Sequence, residues 1–108
     1  MARFTHPSLS DVSLATILHA LSEPARLAIV GRLSEDGESG GGGLSCSEAA
    51  CPDLPPATMS NHFTILRAAG LVESRKEGVR VLSRLRRADV EQRFPGLLDT
   101  VLRMRERG

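Results

Sequence analysis

The chain of 108 residues is long enough for one compact domain and too short for two. Hydrophobic residues make up 41% and charged residues 25%, a balance that predicts a folded chain and excludes a disordered one. Two cysteines are too few for a disulfide scaffold and indicate a reducing, cytoplasmic environment. Because we find no signal peptide and no apolar run near the ~20 residues of a spanning helix, we expect no membrane partner.

The net charge of +1 conceals a division between two halves of the chain. Residues 1–56 carry three basic and seven acidic side chains, whereas residues 57–108 carry eleven basic and six acidic ones. An acidic half joined to a basic half is typical of nucleic-acid contact on one side, although charges solvated on helix faces would give the same count. Three Phe with no Tyr or Trp argue against a module that stacks single-stranded bases.

The first amphipathic helix is predicted over residues 11–21. Ser8 or Ser10 is suited to cap it, because a serine hydroxyl accepts from the free amides of a first turn. The apolar residues fall at one-turn spacing and form one stripe: Leu14, Ile17, Leu18 and Leu21. We therefore expect one buried face on this helix.

A second helix begins where Pro24 suits the first helical position and Glu23 is placed to cap it. The glycines that follow cannot sustain a helix, so it should end near Ser34 or Glu35. Residues 36–43 are then predicted to form a flexible surface loop.

Two further helices are predicted on either side of a tight turn. Ser45 and Glu48 have the spacing of a capping box, which opens a short third helix. The fourth helix is predicted over residues 56–69, with Gly70 as its stop. Its buried stripe comprises Met59, Phe63, Leu66 and Ala69. A short capped helix, a turn and a second helix with a free polar face form a helix-turn-helix over residues 45–70.

A basic hairpin follows directly. Two β-prone runs, residues 71–75 and 79–85, are separated by three residues that include a glycine for the turn. In the second run apolar residues alternate with Arg80 and Arg84, which predicts one apolar and one basic face. A hairpin at residues 71–86 makes this a winged helix-turn-helix.

The final helix is predicted over residues 88–107, bent or interrupted at Pro95 and Gly96. Its apolar stripe comprises Leu97, Leu98, Val101, Leu102 and Met104. The predicted fold is mainly α with a small β-hairpin, in the order α-α-α-α-β-β-α.

The polar face of the fourth helix and the basic hairpin form a candidate DNA interface. Small polar side chains allow a helix to enter a major groove ~12 Å wide, where Asn61 can both donate to and accept from an adenine edge. Basic side chains beside the groove can neutralise phosphates. The predicted contacts are Pro56, Ala57, Thr58, Ser60, Asn61, His62 and Thr64 for the groove and Arg67, Arg75, Lys76 and Arg80 for the backbone.

Three segments resemble the ArsR/SmtB repressors in the same order and spacing. Residues 17–27, ILHALSEPARL, are similar to that family's ALSDPTRLRIL, and residues 58–72 are similar to its TVSRHLKVLREAGLV. The third segment is the hairpin of residues 73–85, which resembles the family's wing. The resemblance implies a homodimeric winged-helix repressor that binds a palindromic operator, with residues 8–21 and 88–107 forming the dimer interface. It also implies that His62, which lies beside the buried stripe, orients the recognition helix more often than it binds anything.

The family resemblance implies release of DNA by a bound metal or by thiol oxidation, but neither metal site of the family is present. The Cys-x-Cys positions of the arsenic-type site hold Ser45 and Ser47 here. The zinc-type site needs carboxylate and histidine ligands along the last helix, which contains no histidine. We therefore expect no metal and no cofactor, and an unidentified small-molecule or redox inducer.

Cys46 and Cys51 are the candidate redox residues. Cys46 falls in the first turn of the third helix, where the free amides favour a thiolate. On a regular helix the two α-carbons would lie ~8.6 Å apart, beyond the ~7 Å limit of a disulfide, so a bridge requires the helix to end before Cys51. The alternatives are cysteines that only fill helix packing, or a metal site formed with a distant histidine.

Two other classes of function remain as alternatives. A winged-helix protein-interaction module would use the basic wing on an acidic partner, but should lack a polar face that fits a groove. A small thiol enzyme would require a catalytic pocket, of which the sequence gives no sign. We therefore expect a DNA-binding regulator and no enzymatic activity.

Overall fold

The computed structural model describes residues 4–50 and 53–105. After a 3₁₀ turn at Leu9–Asp11, the elements are α1 (Leu14–Leu21), α2 (Pro24–Glu38), α3 (Cys46–Ala49), α4 (Pro56–Ala68), β1 (Val72–Glu77), β2 (Arg80–Leu85), α5 (Arg87–Arg93) and α6 (Leu97–Arg105). The fold is mainly helical with a two-stranded antiparallel hairpin, which confirms the predicted winged helix-turn-helix. None of the helices in the described ranges is long and apolar enough to cross a membrane.

Two of the predicted helix caps are confirmed. The Glu23 side chain accepts from the Ala25 amide at 3.2 Å and fixes the start of α2. Ser45 and Glu48 form the capping box of α3: the Ser45 amide donates to Glu48 Oε1 at 2.8 Å, and the Glu48 amide donates to the Ser45 hydroxyl at 3.3 Å. Both helices therefore begin where their local sequence predicts.

The start of α1 differs from the prediction. The Ser13 hydroxyl accepts from the Thr16 amide at 3.1 Å, so the cap is Ser13 and neither Ser8 nor Ser10. The residues before it form the separate 3₁₀ turn Leu9–Asp11. A serine one turn further along the chain satisfies the same amides and shortens the helix.

The end of α2 also differs from the prediction. The helix continues to Glu38, beyond Ser34 and Glu35, because one interior glycine costs a helix only about 1 kcal/mol. The Asp36 carboxylate accepts from the Gly43 amide at 3.0 Å. This bond ties the glycine-rich segment back to the helix that precedes it.

The wing turn is shorter than predicted. Glu77 pairs with Arg80, which leaves a two-residue turn of Gly78 and Val79 in place of residues 76–78. Gly78 has a φ of +63°, a left-handed conformation that L side chains rarely adopt.

The faces of β2 are mixed, which corrects the predicted division into an apolar and a basic face. Leu82 is buried although it lies on the same face as the exposed Arg80 and Arg84. Ser83, on the other face, is fully buried and exchanges two backbone hydrogen bonds with Leu44, at 2.9 and 2.8 Å. The base of the wing is therefore covered on both sides.

The core is gathered around α2, which contacts α1, α4, α6 and β2. The largest fully buried side chains include Ile17, Ile29, Leu33, Phe63, Leu66, Leu71 and Leu98. The predicted interruption near Pro95 and Gly96 is confirmed, since it separates α5 from α6.

Two terminal helices leave apolar side chains exposed. In α1, Ile17 and Leu21 are buried, but Leu14 and Leu18 are 46% and 47% exposed. In α6, Met104 is 55% exposed. The predicted apolar stripes are thus only partly covered within a single chain.

Candidate nucleic-acid interface

The fourth helix presents an uncharged polar face to solvent. Phe63 and Leu66 are buried and hold α4 against the core. The exposed residues of this helix include Pro56, Ala57, Thr58, Ser60, Asn61 and Thr64. Because the inner face is fully packed, the outer side chains project from a rigid element and not from a loop.

His62 lies on the inner side of α4, unlike the other predicted groove contacts. It is only 8% exposed, and its Nδ1 lies 3.3 Å from Nη1 of Arg26. A side chain buried in this way orients α4 against α2 and does not face a groove. We therefore remove His62 from the predicted groove contacts.

Arg26 was missed as a positioning residue. Its Nε donates to the Ala20 carbonyl at 2.7 Å, so the guanidinium satisfies the carboxyl-terminal end of α1 while it contacts α4. The available signal was its spacing, since Arg26 lies three and four residues before the apolar Ile29 and Val30 and shares their buried face.

Arg67 connects the end of α4 to the wing. Its Nη1 donates to the Ser74 hydroxyl at 3.2 Å and its Nη2 to the Thr64 hydroxyl at 3.4 Å. The guanidinium carbon lies 4.7 Å from the centre of the Phe4 ring. The two hydroxyl oxygens of Ser74 and Ser83 lie 2.7 Å apart in the interior, which extends the connection across both strands. Desolvation lowers the pKa of Arg67, which remains a cation.

The arginines of the wing each contact an acidic side chain. The pairs are Arg75 with Glu77 at 3.2 Å, Arg80 with Glu48 at 2.9 Å, and Arg84 with Glu73. Arg75 also donates to the Gly42 carbonyl at 2.8 Å, and Lys76 is exposed beside it on β1. Because solvent-exposed ion pairs are weak, a DNA phosphate can take the place of these carboxylates.

The pKa of Cys46 is shifted in the direction opposite to the one that its helix position predicted. Cys46 is a half-buried free cysteine, and burial raises the pKa of its thiol more than Arg67 and a backbone hydrogen bond lower it. Cys51 lies outside the described residues, so the redox pair stays a prediction. Among the residues that the structure places, no three His, Cys, Asp or Glu side chains are grouped to hold a metal ion.

The structure defines a winged helix-turn-helix protein. It combines a capped α3, a tight turn, α4 with its exposed polar face and a basic hairpin. Residues 21–75 match the helix-turn-helix domain family, a span that contains α2, α3, α4 and most of β1. The chain belongs to this family.

Two relatives are similar to this chain over much of their length. The uncharacterized HTH-type transcriptional regulator YceK of Bacillus subtilis is 37% identical over 93 residues, which cover 84% of this chain and 88% of the relative. The uncharacterized HTH-type transcriptional regulator MJ1325 of Methanocaldococcus jannaschii is 38% identical over 64 residues, 59% of this chain and 67% of the relative. The chain is thus a transcriptional regulator of the helix-turn-helix class, whose members bind DNA.

Proposed function

We propose that the chain is a sequence-specific, homodimeric repressor of the ArsR/SmtB type that acts on DNA in the cytoplasm. The observation that carries this proposal is the exposed polar face of α4 beside a wing that carries Arg75, Lys76 and Arg80. A rigid helix with small polar side chains fits a major groove, and cations beside it fit the flanking phosphates.

In this proposal α4 reads the base edges. The Asn61 side chain offers a donor and an acceptor to an adenine. Thr58, Ser60 and Thr64 make single hydrogen bonds or contact a thymine methyl group. Sequence preference should therefore come from the helix, within each half-site of a palindromic operator.

The wing and Arg67 supply phosphate contacts. Arg75, Lys76 and Arg80 lie on the two strands of the hairpin, and all three are exposed. Each phosphate neutralised should contribute about 0.9 to the slope of log affinity against log salt concentration. Binding that falls steeply with salt is therefore part of the proposal.

The homodimer would cover the apolar side chains that one chain leaves exposed. Leu14 and Leu18 of α1 and Met104 of α6 are each about half exposed, and the ArsR/SmtB resemblance implies that the first and last helices form the interface. Such a dimer would place two copies of α4 one helical turn of DNA apart, about 34–36 Å, or a multiple of this distance.

Replacing both exposed leucines tests the dimer. The double substitution Leu14→Glu and Leu18→Glu should give a monomer by sedimentation that is still folded by circular dichroism. This monomer should have lost most of the operator affinity of the parent. Val79→Glu introduces a charge at another exposed apolar residue, the wing tip, and should leave the oligomeric state unchanged. A double variant that still sediments as a dimer would place the interface elsewhere.

Repression with release by an inducer completes the proposal. The signal is a small molecule or an oxidant, and Cys46 with Cys51 is the candidate sensor in the second case. Selection of duplexes from a random pool, followed by salt-titrated binding, tests the whole assignment without knowledge of the regulated genes. We expect an enriched palindrome and steep salt dependence, whereas no enrichment would favour the protein-interaction module.

A further inference from the structure

Glu48 makes contacts with three separate elements. Its Oε1 accepts from the Ser45 amide at 2.8 Å within the capping box of α3. The same oxygen accepts from Nη2 of Arg80 on the wing at 2.9 Å. Its backbone carbonyl accepts from Nη2 of Arg32 on α2 at 2.9 Å. Glu48 is therefore anchored on two sides independently of its bond to the wing.

We propose that Glu48 competes with DNA phosphate for Arg80 and thereby weakens the contact of the wing with any duplex. The inference rests on the proposed function, in which Arg80 binds a phosphate. Arg80 already donates one Nη2 hydrogen to Glu48, whose carboxylate neutralises its charge, so a phosphate that binds Arg80 must displace this carboxylate or share the guanidinium with it.

The carboxylate keeps its charge and its position when Arg80 leaves. A glutamate is ordinarily ionised at neutral pH, and the hydrogen bonds from Ser45 lower the pKa of Glu48 further. The capping box holds it at α3 whether or not Arg80 is present. A phosphate that binds Arg80 would then lie within the Debye length, about 8 Å at physiological salt, of an unpaired negative charge.

This competition has a signature in the salt dependence. A phosphate that gains an arginine releases a counterion, but the carboxylate that loses the arginine attracts one. The net release from the Arg80 contact is therefore smaller than the value of about 0.9 expected for an unpaired arginine.

The substitution Glu48→Gln isolates the charge. Glutamine preserves the capping-box acceptor, so α3 should stay intact and the melting temperature should change little. We expect non-specific duplex to bind roughly three- to tenfold more tightly, the order of effect of one unit charge a few ångströms away in water. The salt slope should become steeper by up to about 0.9.

The control is Glu77→Gln, which removes the same charge from the wing. Its partner Arg75 stays bonded to the Gly42 carbonyl when the Glu77 charge is removed. The gain in affinity for non-specific duplex should therefore be smaller than for Glu48→Gln. In an Arg80→Ala background the gain in affinity from Glu48→Gln should vanish. The gain from Glu77→Gln should persist in part, because Glu77 lies opposite Arg80 in the hairpin but is bonded to Arg75. This cycle separates competition for one arginine from a general effect of charge.

Each result of the cycle has a distinct meaning. If Arg80→Ala alone changes neither the affinity for non-specific duplex nor the salt slope, the wing contact of the proposed function is wrong. If Arg80→Ala reduces the slope but Glu48→Gln binds as the parent does, the competition is wrong and the wing contact stands. A gain from Glu48→Gln that survives in the Arg80→Ala background would also overturn the competition.

Discussion

The outer face of α4 carries uncharged side chains, whereas the exposed arginines of the wing are paired with carboxylates. Thr58, Ser60 and Asn61 are exposed and uncharged on a helix held by the core. The arginines of the wing instead contact carboxylates of the same chain. Hydrogen-bonding groups on a rigid helix discriminate between base pairs, whereas an arginine that exchanges one anion for another responds to charge alone. In the proposed function, one interface would thus divide sequence reading by α4 from phosphate binding by the wing.

The largest expected effect comes from removing the support of the reading helix. Phe63 is 1% exposed, so Phe63→Ala should lower the free energy of unfolding by about 3–5 kcal/mol, measured by urea denaturation. Val79→Ala at the fully exposed wing tip should change it by less than about 0.5 kcal/mol. Equal effects at the two positions would contradict the rigid packing of α4.

Removing the reading side chain should alter sequence preference and leave the salt dependence unchanged. Asn61→Ala is expected to cost about 1–3 kcal/mol at one base pair of the operator and to relax specificity there. Binding to the selected duplex and to its single-base-pair variants measures the effect. If the variant discriminates among these duplexes as the parent does, Asn61 does not read a base.

Removing a wing cation should change the salt dependence of binding and leave the sequence preference unchanged. Arg80→Ala is expected to weaken binding to all sequences by a similar factor and to reduce the salt slope by at most about 0.9. The matched control is Arg93→Ala on α5, where the guanidinium stacks on Phe94 and the slope should not change. A loss confined to the operator would assign Arg80 to base recognition.

A smaller effect is expected at the edge of β1. The Ser74 amide donates to Nε2 of His6 at 3.0 Å, which requires the neutral imidazole. Burial lowers the pKa of His6, Arg86 and Arg67 lower it further, and Glu73 raises it. The stabilisation should be complete above the unfolded pKa of about 6.5 and be lost as the pH falls through the lowered folded pKa.

The comparison of the parent with His6→Ala tests this pH dependence. Unfolding free energies measured from about pH 5 to 8 should differ most at the alkaline end of this range and converge on acidification. A difference that grows as the pH falls would show that the charged imidazole is the stabilising form.

Local sequence predicted the order of the elements and the candidate reading face. The capping box of Ser45 and Glu48 and the proline start of α4 act within one helical turn, so pattern and spacing are sufficient to find them. The cap at Ser13 is not predicted because Ser8, Ser10 and Ser13 are all suited to cap the start of the same helix.

Tertiary packing accounts for what the sequence did not predict. The contact between His62 and Arg26 joins two helices, so no periodicity within α4 contains it. The bond between Arg80 and Glu48 joins residues 32 positions apart, so the sequence shows two unrelated surface charges. The chemistry of individual side chains was predictable, but their partners across elements were not.

The most direct test of the division between helix and wing is one salt titration of the parent, Asn61→Ala and Arg80→Ala. Each protein is measured on the selected operator and on a scrambled duplex of the same composition. We expect Asn61→Ala to lose the part of the discrimination that one base pair supplies, with its salt slope unchanged, and Arg80→Ala to keep its discrimination with a smaller slope. If both variants lose discrimination and slope together, reading and phosphate binding are not divided between α4 and the wing.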